Sequence, residues 1–162
     1  MPQIEDWVRM YSSTTPSLRL RAAHGLLERG HEIQLELLID ILVNLAHEGL
    51  GAKAESALLN RQDSELPERM IELLESSDDF VREVACTVLG RSGDTIATPH
   101  LLRMVKDRHM MVRRAAGFGL AHLKDRSALT QLHKLYDQHR NDDSNVVMAF
   151  QCALENLGEQ SK

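Results

Sequence analysis

The chain has 162 residues, with 43% hydrophobic and 27% charged side chains and a formal net charge of −5. This composition excludes a disordered chain and a membrane-spanning one, and the length predicts one domain that folds without disulfides or metal. Leucine and alanine, at 25 and 14 residues, far outnumber valine and isoleucine, at 9 and 6. Because Leu and Ala favour helices and β-branched residues favour strands, we predict an all-α fold.

An internal repeat organises the chain. One sequence pattern, which we call the frame, recurs along the chain, and its positions are counted as offsets from a first apolar residue, the origin. The pattern often has Arg at offset 1, and its other typical residues are Ala at offset 4, Leu at offset 8, and Gly and Asp at offsets 12 and 13. The five origins are Leu18, Leu50, Val81, Val112 and Val146, with spacings of 32, 31, 31 and 34 residues. Since offsets 0, 4 and 8 share one face of a helix, each frame predicts a helix.

Another predicted helix precedes each framed helix. In chain order these first helices are Ile4–Tyr11, Ile33–Ala46, Leu66–Leu74, Pro99–Val105 and Ala128–Tyr136. Pro67 and Pro99 fall in first turns, where the missing N–H costs little, and Thr98 is predicted as an N-cap. The five repeats span about residues 3–31, 32–63, 64–94, 95–125 and 126–159 of one domain. Because no pair buries its apolar face alone, we predict a right-handed α-solenoid, a superhelix of about five helical pairs.

Two stretches carry a family resemblance. They are Val81-Arg82-Glu83-Val84-Ala85 with Leu89, Gly93 and Asp94, and Val112-Arg113-Arg114-Ala115-Ala116 with Leu120, Lys124 and Asp125. This pattern resembles the short HEAT-like repeats of phycobilin lyase subunits and many bacterial scaffolds, and it extends over nearly the whole chain. In that family a turn Asp and a helix Arg form a ladder between repeats, and the matching positions are Asp79/Arg82 and Asp107/Arg113. The resemblance implies a HEAT-like fold and a binding role, without implying an activity.

The sequence shows no evident catalytic or metal-binding constellation. None of the eight histidines lies three or four residues from another, the spacing that places two ligands on one helix face. His31-Glu32 and His47-Glu48 resemble the His-Glu pairs of HEAT-like deoxyhypusine hydroxylases, but they occupy different repeat positions, so no di-iron site is predicted. Cys86 is predicted to pack in the core, and the more exposed Cys152 has no evident histidine partner. We therefore predict no metal, no cofactor and no catalytic residue.

Charge is segregated along the chain. Residues 63–79 carry seven acids and one base, whereas residues 101–126 carry seven bases and two acids. Two interpretations stand, a solvated face with ion pairs between repeats and a bipolar docking surface. Arg113 and Arg114 in the basic fourth repeat are candidates for nucleic-acid binding, as in some HEAT-like alkylpurine glycosylases. The negative net charge and the few aromatic residues argue against nucleic acid as the main partner.

The second helix of each repeat is expected to line the concave face of the solenoid. Offsets 2, 6 and 9 lie opposite the buried stripe, and several are apolar where a solvated face would be charged. An exposed apolar patch of this kind marks an interaction site, unless these helices are buried more widely than the helical wheel indicates. The predicted partner-binding residues are Leu20, His24, Leu27, Leu59, Thr87, Arg114, Phe118 and Cys152.

These patterns predict a non-catalytic protein–protein interaction module, such as a scaffold, an assembly factor or a neutralising partner, that binds another protein through its concave face. Two alternatives stay open. One is a phycobilin lyase-like or chaperone-like subunit that handles a tetrapyrrole-carrying protein, and the other is nucleic-acid binding through the fourth repeat. Since neither a leader nor a membrane segment is apparent and the two cysteines are isolated, we expect a cytoplasmic protein that is a monomer or a weak homodimer.

Overall fold

The computed structural model describes residues 3–141 and 144–158, and within these ranges the chain forms ten α-helices and no strand. The predicted all-α fold is therefore confirmed. The chain divides into two compact units, Met1–Asp63 and Ser64–Lys162. Their boundary coincides with the one predicted between the second and third repeats, while the organisation as one domain stays a prediction. None of the described helices combines the length and the apolar character that a membrane span requires.

The first unit holds two helical pairs. Helix α1 (Ile4–Tyr11) packs on α2 (Pro16–Leu27), and α3 (Leu35–Leu45) packs on α4 (Gly51–Leu59). Pro16 begins α2, where its missing N–H would have had no helical partner. The core between these helices is aliphatic, and its fully buried side chains include Ala22, Leu26, Leu38, Leu42 and Leu58.

The second unit holds three helical pairs. They are α5 (Leu66–Leu73) with α6 (Asp79–Ser92), α7 (Thr98–Met104) with α8 (Met110–Leu123), and α9 (Leu129–His139) with α10 (Ser144–Asn156). Helix α8 packs on both α6 and α10, so the second helices of successive repeats lie side by side, which is the arrangement of an α-solenoid. In this unit the positions at offsets 0, 4 and 8 are buried as predicted, among them Val81, Ala85, Leu89, Val112, Ala116 and Leu120. In the first unit Leu18, the first frame origin, is 40% exposed, so its predicted burial is wrong.

Glycines allow the second helices of this unit to approach closely. A Cβ added at Gly90 would lie 2.2 Å from the Cα of Gly119, and one added at Gly117 would lie 2.7 Å from the Cβ of Ala149. Both distances are far shorter than an ordinary carbon–carbon contact. The absence of a side chain therefore lets α8 contact α6 on one flank and α10 on the other.

The start of α7 differs from the prediction. The carboxylate of Asp94 accepts the N–H of Ile96 at 3.0 Å and begins a short 3₁₀ turn that leads into α7. Thr98 is already the first residue of α7, so its prediction as an N-cap is wrong. Its hydroxyl instead donates to the carboxylate of Asp125 at 2.6 Å and joins the fourth repeat to the turn that follows it.

Candidate functional site

An arginine–aspartate pair joins the third and fourth repeats. The Nε of Arg82 donates to Oδ2 of Asp107 at 2.9 Å, and its Nη2 donates to Oδ1 at 3.1 Å. The Nη1 of Arg82 also donates to the carbonyls of Ser76 and Ser77. One link between repeats is therefore present, but it joins Arg82 to the Asp of the following repeat rather than to Asp79, and the Arg113 guanidinium contacts backbone carbonyls rather than the carboxylate of Asp107. Asp79 instead contacts the imidazole of His109 at 3.4 Å.

Two further arginines hold turns in place. The Nη1 of Arg113 donates to the carbonyls of Asp107 and Arg108 at 3.0 and 3.2 Å. In the first unit, Arg61 pairs with Asp63 and also donates to the carbonyls of Gly30 and Ile33 at 2.8 and 2.6 Å. The hydrogen bond from the Arg61 guanidinium holds the pKa of the Asp63 carboxyl below its usual value. These arginines satisfy backbone acceptors within the fold and are not available to a ligand.

A groove of about 210 Å³ lies between α6 and α8 in the second unit. We call it the α6–α8 groove, and its lining residues are Glu83, Thr87, Arg91, Arg114, Ala115, Phe118, Gly119 and His122. Residues four apart share one face of a helix, so α6 presents the row 83, 87 and 91, and α8 presents the row 114, 118 and 122. The two rows occupy the same repeat offsets, 2, 6 and 10, and the small side chains at 115 and 119 leave space between them.

The groove combines an aromatic ring with basic groups. Phe118 and Arg114 are half-buried, and Arg91 is exposed. Neither Arg91 nor Arg114 forms an ion pair with any residue in the described part of the chain. Beside Phe118, the hydroxyl of Thr87 donates to the carbonyl of Glu83 at 3.1 Å and so serves its own helix. The arrangement places two arginines and one phenylalanine along the groove.

Four of the predicted residues lie in the second unit, and the structure brings three of them together. Thr87, Arg114 and Phe118 line the α6–α8 groove. Cys152 is half-buried on α10, the other neighbour of α8, and its Sγ accepts a hydrogen bond from the side chain of Asn156 at 3.5 Å. One turn earlier on α10, Met148 is 49% exposed. Met148 and Cys152 therefore place two uncharged side chains on α10 beside α8.

The other four predicted residues lie in the first unit. Leu20, His24 and Leu59 are half-buried, and the Nδ1 of His24 lies 3.3 Å from the Nζ of Lys53. Leu27 is only 8% exposed, so the expectation that it lies on an open face is wrong. Gly90 and Ala121, at the same offset 9 in the second unit, are also buried. Second helices packed side by side bury their flanks, and the helical wheel took into account only the first helix beneath them.

Sequence reasoning missed Arg91 and His122, which also line the groove. Both occupy offset 10, one turn beyond the predicted positions at offset 6. The signal was present in the sequence, because offset 10 continues the row of offsets 2 and 6 at helical spacing. The helical-wheel prediction used offset 9 instead of offset 10.

Covalent and metal chemistry find little support in the described residues. Cys86 is fully buried, and burial raises the pKa of its thiol to about 12, which keeps it protonated and unreactive near neutral pH. No group of three His, Cys, Asp or Glu side chains in residues 3–141 and 144–158 is arranged to hold a metal ion. The second groove, of about 340 Å³ between α2 and α4, contains Lys53, His31, Glu28 and Ser56, but among the described residues no hydrogen bond joins the Ser56 hydroxyl to a base.

Comparisons with known proteins bear on the fold. The family model described as PBS lyase HEAT-like repeat matches residues 112–138, and no curated protein matches significantly. Among solved structures, the chain is similar to the crystal structure of an engineered protein, with a TM-score of 0.66 and 20% identity over 97% of this chain and 80% of that one. At this identity the likeness shows the fold alone. The resemblance inferred from the repeat pattern is thus confirmed, since residues 112–138 are similar to a PBS lyase HEAT-like repeat and the chain has the fold of a helical repeat protein.

Proposed function

We propose that this chain is a non-catalytic protein-binding module whose partner docks in the α6–α8 groove, on the face predicted to be concave. One observation carries the proposal. Arg114 and Phe118 line an open groove, whereas the neighbouring Arg82 and Arg113 are bound to groups within the fold. Aromatic and arginine side chains supply much of the binding energy at protein interfaces, particularly where they border a pocket.

The dimensions of the groove favour a protein side chain over a chromophore. Its volume of about 210 Å³ lies below the range of roughly 300–1,000 Å³ in which small-molecule sites bury their ligands. A tetrapyrrole, which the name of the matched repeat family suggests, would exceed this space. No contact among the described residues favours that alternative.

The basic side chains of the fourth repeat do not form one track for a phosphate backbone. Arg113 is bound to two carbonyls, and Arg103 pairs with Glu75 at a different site, near the turns. Arg114 lies on the groove side of α8, apart from Arg103 and Arg113, and shares the groove with Glu83. Nucleic acid binding depends on many phosphate contacts along a continuous basic surface, so this distribution supports a protein partner.

The proposed setting is the cytoplasm, with the chain a monomer or a weak homodimer. Cys86 and Cys152 are both free thiols, which supports a reducing compartment. As a scaffold, an assembly factor or a neutralising partner, the chain would act by occupying a surface of another protein.

The test is a comparative capture experiment. The tagged full chain, its Phe118→Ala/Arg114→Glu variant and a Lys106→Glu control are each incubated with lysate of the native host, and retained proteins are quantified by mass spectrometry. Lys106 is exposed in the same repeat and lies outside the α6–α8 groove. We expect a protein that the wild type and the control retain and that the groove variant loses by at least about tenfold. Equal retention by all three would overturn the proposal.

A further inference from the structure

The α6–α8 groove changes in charge along its length. At the N-terminal end of the two helices, offset 2 holds Glu83 on α6 and Arg114 on α8. At the C-terminal end, offset 10 holds Arg91 and His122, so this end is lined by basic groups without a carboxylate among the lining residues. Phe118 lies between the two ends. The groove thus has one mixed end, an aromatic middle and one basic end.

The row of α10 at offsets 2, 6 and 10 carries no charge. Helix α10 packs beside α8, and its residues at offsets 2, 6 and 10 are Met148, Cys152 and Asn156, all uncharged. Met148 is 49% exposed there. Met148 at offset 2 lies toward the mixed end of the groove, and Asn156 at offset 10 lies toward the basic end, where Glu155 of α10 is also exposed. The charge of the basic end therefore comes from the lining of the groove itself, which has no carboxylate at that end.

We propose that the α6–α8 groove accepts an acidic peptide segment of a partner protein in which a Glu or Asp stands close to an aliphatic side chain, an inference that rests on the proposed function. The carboxylate would bind the guanidinium of Arg91, because a planar guanidinium binds a carboxylate through two parallel hydrogen bonds. The aliphatic side chain would cover the ring of Phe118 and extend toward Met148. Charge complementarity of this kind selects the partner and sets its orientation.

The acidic stretch of a second copy of this chain is a poorer occupant. Four of its acids already pair within the fold, and these pairs are Asp63 with Arg61, Glu72 with Arg69, Glu75 with Arg103, and Asp79 with His109. Binding to a second copy would have to break these contacts. An acidic segment from a different protein carries no such cost.

The experiment selects peptides from a random 16-residue display library on the immobilised full chain, and selected peptides are then measured by fluorescence polarisation. We expect enrichment of Asp and Glu next to Leu, Ile or Val. Replacing the acids of a selected peptide by Asn or Gln should weaken its binding by at least about tenfold, and so should Arg91→Gln in the protein. Lys106→Gln, outside the groove, should leave the binding unchanged, and thermal unfolding monitored by circular dichroism checks that each variant is folded.

Other outcomes separate this inference from the proposed function. Neutral or basic peptides that still require Phe118 would overturn the acidic segment and leave protein binding through the groove intact. Failure to enrich any peptide whose binding depends on Phe118 or Arg114 would overturn both. A labelled single-stranded oligonucleotide that displaces the peptide, or a dimer in sedimentation that is lost in Arg91→Gln, would identify nucleic acid or a second copy as the occupant and overturn the inference.

Discussion

The guanidinium of Arg82 and the carboxylate of Asp107 form a bidentate ion pair, at 2.9 and 3.1 Å, that joins α6 of the third repeat to the turn before α8 of the fourth. Their side chains are only 5% and 9% exposed. Asp107 also accepts the backbone N–H of His109, at 2.7 Å, where α8 begins. One carboxylate thus fixes both the spacing of two repeats and the start of a helix.

Removing one member of this pair should destabilise the protein strongly. Asp107→Asn leaves the buried Arg82 charge without its counter-ion, and such losses cost about 3 kcal/mol. Urea unfolding followed by circular dichroism measures the change in free energy of unfolding. The matched control is Arg103→Gln, which breaks the exposed pair with Glu75 and should cost less than about 1 kcal/mol. Equal effects of the two variants would contradict the structural role of the buried pair.

The carboxylate of Asp107 should also make the stability of the protein depend on pH. Burial opposes its ionisation, but the hydrogen bonds from Arg82 and from the N–H of His109 hold the pKa of Asp107 below its usual value. A pKa lowered by folding adds stability above the unfolded value, near 4, and that stability is lost as the pH falls through the folded value. The difference in unfolding free energy between wild type and Asp107→Asn should therefore be constant from about pH 7 to about pH 5 and shrink below about pH 4. A difference as large at about pH 2 as at about pH 7 would refute this expectation.

Much of the fold was predictable because the repeat frame is a local signal. The spacing of apolar residues identified all five first helices, and the prediction for α1, Ile4–Tyr11, agrees with the structure at both ends. Thr98 was misassigned because the pattern does not show that Asp94 starts a 3₁₀ turn just before it. Which carboxylate Arg82 binds also depends on how far one repeat is displaced from the next. The sequence of a single repeat does not determine that displacement.

The candidate site was predictable only in part, for a similar reason. The frame identified Thr87, Arg114 and Phe118, since these positions are opposite the buried stripe on each helix. It misplaced Leu27, which is only 8% exposed where α2 faces α4. Free and bound arginines also look alike in the sequence. Arg113 and Arg114 are adjacent, yet only Arg113 is hydrogen-bonded to backbone carbonyls of the turn.

Lys124 offers a stabilising substitution. It ends α8 with a φ of 54°, the left-handed conformation that Gly93 adopts at the end of α6 with a φ of 75°. A side chain is strained in this region and glycine is not, so Lys124→Gly should raise the free energy of unfolding by about 0.5–1 kcal/mol. Urea unfolding measures the gain. Lys124→Ala is the control, since it removes the charge but keeps the strain, and an equal gain from it would show that charge and not backbone strain is responsible.

The contact between α6 and α8 predicts a destabilising substitution. A Cβ at position 90 would lie 2.2 Å from the Cα of Gly119, so Gly90→Ala should force the two helices apart. We expect a loss of about 1–3 kcal/mol in the free energy of unfolding. Helix propensity alone predicts the opposite sign, a gain of about 1 kcal/mol for Ala over Gly. The sign measured in urea unfolding therefore decides between close helix contact and local propensity.

Two phenylalanines in the second unit allow a core position to be compared with a groove position. Phe150 is fully buried in α10, at the frame position where the earlier repeats carry Ala, whereas Phe118 is half-buried in the α6–α8 groove. Phe150→Ala should lower the free energy of unfolding by about 3–5 kcal/mol, and Phe118→Ala should lower it by much less, because only part of its ring leaves a packed environment. Urea unfolding compares the two variants.

Partner binding should show the opposite order. For a captured partner or a selected peptide, Phe118→Ala should weaken binding by more than about 1 kcal/mol, roughly fivefold, because an aromatic anchor in a groove contributes much of the binding energy. A milder Phe150→Leu variant that remains folded should bind as the wild type does, since this position has no contact with solvent. If Phe118→Ala instead unfolds the protein as readily as Phe150→Ala, then Phe118 belongs to the core, and the groove loses the residue on which its assignment chiefly depends.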